Sequence, residues 1–265
     1  MPQGEGVSES AGEVYRFACL ELRGGNRVAV YRAELPGLNA WVSCRPLYPS
    51  TRGGDLYYLS VCSQGSISRV TVADVAGHGE AVSSVAQRLR DALREHADDW
   101  DQSTLIRRLN DSFLKASVNG KFATAVLLSH YGQTGELLFT NAGHLPPLWY
   151  HAAIEEWTFL NPTTCYSKDI ADLPLGLIPG TPYTQTAIQL EPDDLLLLYT
   201  DGVSESQDHQ GDQLGLERLL EIARRLPADS ASAAGEALLA AVGRFRGPAA
   251  ATDDETVVAL HRHSL

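Results

Sequence analysis

The chain has 265 residues, 44% of them hydrophobic and 20% charged, with a net charge of −12. That composition supports one large core, or at most two small ones, and excludes a disordered chain. The acidic balance argues against a nucleic-acid binder, which would carry basic clusters, and is compatible both with metal binding and with an ordinary acidic cytosolic protein.

Residues 1–12 are rich in Gly, Ser and Glu. They lack the apolar core of a signal peptide and read as a frayed tail, leaving 13–265 as a single domain. No apolar run approaches the ~18 residues of a membrane span. Cys19, Cys44, Cys62 and Cys165 are far apart and form no Cys-x-x-Cys pair. Neither a zinc site nor a disulfide framework is indicated, and reduced thiols in a cytoplasmic protein are expected.

Short runs around Val30–Ala33 and Ala40–Val42, separated by Pro36-Gly37, predict a hairpin or meander. Leu56–Cys62 and Ile67–Ala73 predict an antiparallel pair across Gln64-Gly65. Asp55 then lies at the start of one strand and Asp74 at the end of its neighbour, so pairing brings the two carboxylates together. A buried carboxylate is costly unless it is paired or binds a metal, which makes Asp74 the first candidate for chemistry.

Glu80–His96 predicts a helix, with Val82, Val85, Ala86, Leu89, Ala92 and Leu93 on one face. A second helix begins at Ser103, a plausible N-cap, with Leu105, Ile106, Leu109, Phe113 and Leu114 inward. The arginines at 88, 90, 94, 107 and 108 read as solvated helix surface. Strands follow at 122–130, 136–141, 148–150, 156–160, 184–190 and 195–200. Residues 161–183 read as an irregular loop that could form a flap. Two amphipathic helices, 216–226 and 230–245, precede a last strand at 257–261. The order predicts an α+β fold with mostly antiparallel pairing.

Asp55, Asp74, Asp201, and Asp253 or Asp254 recur at strand edges, with glycines beside the first three. Hard divalent ions favour this oxygen donor set. Two such ions would activate a water and neutralise an anionic substrate, for which phosphate-ester hydrolysis is the natural use. Asp-Gly pairs also occur simply as turns.

Seven segments occur in order: Gly53-Gly54-Asp55, Asp74-Val75-Ala76-Gly77-His78-Gly79, Phe122-Ala123-Thr124-Ala125, Asn141-Ala142-Gly143-His144-Leu145-Pro146-Pro147, Pro174-Leu175-Gly176, Tyr199-Thr200-Asp201-Gly202-Val203-Ser204-Glu205 and Asp253-Asp254-Glu255-Thr256. Together they resemble the PPM-type (type 2C) protein serine/threonine phosphatases, in the bacterial SpoIIE-like branch, from about residue 45 to 262. The resemblance implies an α-β-β-α sandwich of two antiparallel sheets flanked by helix pairs, with two Mn²⁺ or Mg²⁺ ions at one end. It implies Asp55, Asp74, the main-chain carbonyl of Val75, Asp201 and Asp253 as the metal and catalytic set. Asp253 is preferred to Asp254 because the family places this ligand three residues before the threonine. It further implies in-line attack by a metal-bridging hydroxide, without a phospho-enzyme.

In this branch the usual substrate is a phosphorylated STAS-domain anti-anti-sigma factor. A non-catalytic scaffold and a small phosphate-ester hydrolase are the alternative functions. His78 reads either as a proton donor or as a turn residue, His144 as a hydrogen-bonded structural histidine, and Asn141 and Gly143 as turn formers. Glu205 reads as a solvated loop carboxylate, and Tyr57 and Tyr58 as strand packing. The chain departs from the family in lacking a second aspartate after Asp55 and in a longer loop before Pro174. No sensor domain fits in the N-terminal residues, so a separate activator protein, or a switch in the helices after Gly79, is expected to control activity.

Overall fold

The computed structural model describes residues 14–17, 22–62, 65–77, 80–97, 99, 101–116, 120–160 and 172–263. Six strands come first: β1 (Val14–Arg16), β2 (Leu22–Arg27), β3 (Ala29–Leu35), β4 (Leu38–Arg45), β5 (Arg52–Val61) and β6 (Ile67–Val75). Two helices follow, α1 (Glu80–Glu95) and α2 (Gln102–Ala116). The next six strands are β7 (Ala123–Tyr131), β8 (Glu136–Ala142), β9 (Leu148–His151), β10 (Glu156–Phe159), β11 (Thr186–Gln189) and β12 (Leu195–Tyr199). The chain then forms α3 (Asp201–Ser204), α4 (Gly215–Ala223), α5 (Ala231–Arg246) and β13 (Glu255–Arg262).

The strands make two sheets, ordered β1-β3-β4-β13-β12-β9-β10 and β11-β8-β7-β6-β5-β2. Alternation along each strand sorts side chains between two faces. On β5, Tyr57, Leu59 and Val61 enter the core between the sheets, together with Tyr31, Val42, Leu128, Leu198 and Val258. Leu56 and Tyr58 point the other way, onto α1 and α2, where Val82, Leu89, Leu105 and Ile106 meet them. α4 and α5 cover the outer face of the other sheet through Leu219, Leu238 and Val242 against Trp41, Leu197 and Val257. Burying each of these large side chains contributes roughly 1.5–3 kcal/mol. The layers are α-β-β-α, as expected.

Three details differ from the sequence reading. β2 reads Leu-Arg-Gly-Gly-Asn-Arg, which carries no strand signal, and it forms because β5 offers it a ladder. β1 runs parallel to β3, so the pairing is not wholly antiparallel. α2 starts at Gln102 and its cap is Asp101, not Ser103. The Asp101 carboxylate accepts from the Thr104 amide at 2.9 Å and from the Ser103 and Thr104 hydroxyls at 2.7 and 2.5 Å. These bonds hold its pKa down to about 2. A carboxylate here reaches the N3 amide and also faces the positive helix terminus.

The tail, His78, Gly79 and residues 161–171 lie outside the described residues, so the readings of the tail, of His78 and of most of the flap have no structural counterpart here. Further along that loop, Leu175 is held to Ala123 by reciprocal main-chain bonds of 3.0 and 2.7 Å. Among the described residues no helix is long and apolar enough to cross a membrane. Cys44 and Cys62 are buried, and burial keeps the Cys44 thiol protonated.

Candidate metal centre

Asp55 and Asp74 are direct register partners across β5 and β6. Residues opposite one another in an antiparallel pair project to the same face, with Cα atoms about 4.5–5.5 Å apart. Like charges placed this way oppose folding. Asp55 is nearly inaccessible, at 2% exposure. Burial first, then Asp74, then Asp254 push its pKa well up, while the Thr200 hydroxyl, donating to Oδ2 at 2.7 Å, pulls it down.

Thr200 ties the second sheet into this pair. It directly follows β12, and its Oγ1 accepts from the Thr256 amide at 3.0 Å while donating to Asp55. The next residue, Asp201, opens α3. α3 can lie against the Asp253-Asp254 segment only because residue 202 is glycine, since a Cβ there would strike the Asp254 carbonyl oxygen. A Cβ at Gly54 would come within 2.9 Å of the carbonyl oxygens of Val75 and Gly77, so this glycine leaves open the space in front of those two oxygens.

The two adjacent aspartates do different things. Asp254 is 2% exposed and its carboxylate accepts from the amides of Leu47 and Gly54 at 2.6 and 2.7 Å. Asp253 accepts from the Asp254 amide at 2.8 Å and lies close enough to raise the pKa of both Asp74 and Asp201. Burial, followed by Asp201, Asp253, Asp254 and Glu205, pushes Asp74 up to about 8. Burial, followed by Asp253 and Glu205, pushes Asp201 up to about 6. Glu205 is exposed, as read, yet belongs to the field of this cluster.

Six carboxylates, Asp55, Asp74, Asp201, Asp253, Asp254 and Glu205, thus crowd one end of the sandwich, on or beside both sheets. Among the described residues, no three His, Cys, Asp or Glu side chains are gathered tightly enough to hold an ion unaided. The donors still fit hard divalent cations, which keep several waters and take only one or two carboxylates each. The repulsion among the aspartates is the charge such cations would offset.

Three supporting residues escaped the sequence reading. Lys121 donates from Nζ to the Ala76 carbonyl at 2.8 Å, and the Ala76 amide donates to Phe122 O at 2.9 Å, which pins the turn after Val75. Asn26 donates to Gly53 O at 2.8 Å and to Ser83 O at 3.2 Å, joining β5 to α1. Thr200 carried a signal, its place beside Asp201; Asn26 and Lys121 carried none. His144 is structural, as read. Its Nε2 faces the Tyr199 carbonyl at 3.1 Å, which can only accept, so Nδ1 accepts from the Thr124 hydroxyl at 2.8 Å. Burial lowers its pKa to about 4. Asn141 shapes this turn, its side chain bonding the main chain of His144 at 2.6 and 2.9 Å.

The family model for stage II sporulation protein E (SpoIIE) matches residues 65–263, more than half of the chain. The chain belongs to the SpoIIE family. It is 22% identical over 168 residues to the phosphoserine phosphatase RsbU of Bacillus subtilis (strain 168), covering 62% of this chain and 48% of that protein. The chain therefore spans about half the length of that curated relative. The solved structure of the RsbU and RsbW domains of Rv1364c from Mycobacterium tuberculosis shares the fold over 63% of its chain and 91% of this one, with a TM-score of 0.72 at 24% identity. The catalytic domain of the serine/threonine phosphatase PstP, solved with two manganese ions, also shares the fold, with a TM-score of 0.56 at 19% identity, over 85% and 98% of the two chains. The SpoIIE-like, type 2C resemblance and its sandwich are borne out.

Proposed function

We propose that the protein is a metal-dependent phosphatase that removes phosphate from a serine or threonine of a regulatory protein. In this reading Asp55, Asp74, the main-chain carbonyl of Val75, Asp201 and Asp253 hold two Mn²⁺ or Mg²⁺ ions. The observation that carries it is the Asp55–Asp74 register pair, a buried and a half-buried carboxylate side by side at a sheet end. Stability alone would select against that pair. When bound, the ions supply an activated water and neutralise the phosphate oxygens.

The chain's own residues orient the set. Thr200 fixes one oxygen of Asp55, and Lys121 and Phe122 fix the turn that presents the Val75 carbonyl. Asp254 is committed to two amides of distant segments, and Asp253, which faces Asp74 and Asp201, is taken as the ligand of that pair. The phosphoserine phosphatase activity of RsbU and the two manganese ions of PstP support the reading. Likeness to the RsbU and RsbW domains of Rv1364c favours a partner-switching role with a phosphorylated STAS-domain protein as substrate.

The test is hydrolysis of p-nitrophenyl phosphate and of a phosphorylated STAS-domain protein, with and without Mn²⁺. Metal-independent turnover, or turnover unaffected by Asp74→Asn and Asp201→Asn, would overturn the assignment.

A further inference from the structure

A cavity of about 410 Å³ opens beside α1, where β2, the start of β5 and the start of β3 meet. Arg27, Arg52 and Arg90 line it with Gln87 and Tyr57, and among the described residues no acidic side chain does. In a chain where Asp and Glu outnumber Lys and Arg by 33 to 21, such a lining is not the expected average. Arg90 has a neighbour in sequence, Asp91, at 3.0 Å, with both side chains substantially exposed. A pair of that kind contributes little. The guanidinium groups of Arg27 and Arg52 have no carboxylate partner among the described residues.

The backbone makes room for the cavity. β2 is the edge strand of its sheet, and its register with β5 slips between Gly25 and Arg27. Such a bulge bends the edge and re-aims the side chain that follows it. Gly25 leaves the space open, since a Cβ there meets nothing nearer than 4.0 Å.

Position gives the cavity its use. Arg52 precedes Asp55 by three residues on β5, a distance of roughly 10 Å along an extended strand. The odd spacing turns the two side chains to opposite faces of the strand, so a peptide with its phosphoserine at the Asp55–Asp74 pair reaches Arg52 by passing around the start of β5, where Arg52 is the first residue. We propose that this cavity is a docking subsite for carboxylate side chains two to four residues from the phosphorylated serine of the protein substrate. The inference rests on the phosphatase reading above. Guanidinium forks match carboxylate geometry with two parallel hydrogen bonds. A local positive cavity also steers an acidic segment toward a molecule whose net charge repels it.

The test compares two phosphoserine peptides that differ only in Glu or Gln at positions two to four residues from the phosphoserine, assayed with Mn²⁺. The wild-type protein is expected to favour the acidic peptide by about tenfold in kcat/KM at low salt, mainly through KM, as two partly exposed ion-pair contacts would give. Arg27→Gln/Arg52→Gln should bring that ratio to within about twofold. Gly25→Leu, which fills the cavity and leaves every arginine in place, should do the same, with thermal melts showing both variants folded. A ratio of one in the wild-type protein, or a ratio preserved in both variants, overturns the subsite. If inorganic pyrophosphate raises the melting temperature of the wild-type protein and not of the variants while the peptide ratio stays at one, the cavity takes a free anion and the proposal fails. Metal-independent p-nitrophenyl phosphate turnover would instead remove the phosphatase reading, whereas metal-dependent turnover with a peptide ratio of one removes the docking subsite alone.

Discussion

Asp55 and Asp74 stand opposite each other in register, on adjacent strands, with their carboxylates on one face of the sheet. The antiparallel ladder between β5 and β6 forces two like charges together at its end. In metal-free protein, Asp74→Asn should therefore raise stability by about 1 kcal/mol, because the amide removes the repulsion and can donate to Asp55. The same variant should lose at least about 100-fold in Mn²⁺-dependent turnover. Thermal melts in EDTA and in Mn²⁺, read beside the rates, check both: Mn²⁺ should stabilise the wild-type protein and have little effect on the variant.

Thr200 spans the two sheets through one hydroxyl, donating to Asp55 and accepting from the Thr256 amide. Thr200→Val keeps the shape and removes both bonds, stranding a buried amide. A loss of about 2–3 kcal/mol is expected, with a rise in the Mn²⁺ concentration needed for half-maximal activity. Urea titration and a Mn²⁺ activation curve measure the two effects; an unchanged activation curve would mean that Asp55 is positioned by the strand alone.

His144 joins Thr124, the register partner of Asp74 on β7, to Tyr199, the residue before Thr200-Asp201. It is a clamp between the sheets, beside the site. His144→Phe should cost about 2 kcal/mol, since it strands the buried Tyr199 carbonyl and the part-buried Thr124 hydroxyl. Urea unfolding with an unchanged m-value would locate that loss in the native state.

His130 lies on β7 at the far end of the same core and is fully buried. The Pro36 carbonyl is near enough to favour the charged ring weakly, yet neither ring nitrogen makes a hydrogen bond of good geometry among the described residues. Burial dominates and lowers its pKa to about 4. Between that value and the ordinary value of 6.5 the unfolded chain binds a proton that the native state does not, so stability falls as pH drops through this window. His130→Leu should stabilise the protein by about 1 kcal/mol at neutral pH and flatten the acid limb of the stability curve. A variant that melts with the wild-type slope between pH 6.5 and 4 would contradict this.

The α+β order with mostly antiparallel strands was legible from the residues, since 3.6-residue periodicity marked Val82–Leu93 and apolar runs marked β6 and β7, while the α-β-β-α layering came with the family resemblance. Local pattern also brought Asp55 and Asp74 together, because a tight turn between two strands leaves one antiparallel register. The edge strand β2 was not legible. Gly24 and Gly25 carry no strand preference, and only the ladder offered by β5 makes them extended. The cap at Asp101 was misread by two residues because Asp101, Ser103 and Thr104 all suit a helix start, and the geometry of one amide selects among them.

The chemistry divides along the same line. Aspartates at strand ends beside glycines, with few competing His or Cys ligands, pointed to the oxygen-donor site proposed above, and that information is local. Whether Asp253 or Asp254 faces the cluster turned on amides of Leu47 and Gly54, some 200 residues earlier in the chain. The arginine cavity likewise joins residues of β2, β5 and α1 that no sequence window holds together. Partnership between distant segments is set by how the two sheets pack, and burial and charge at one end of the sandwich exist only once they have.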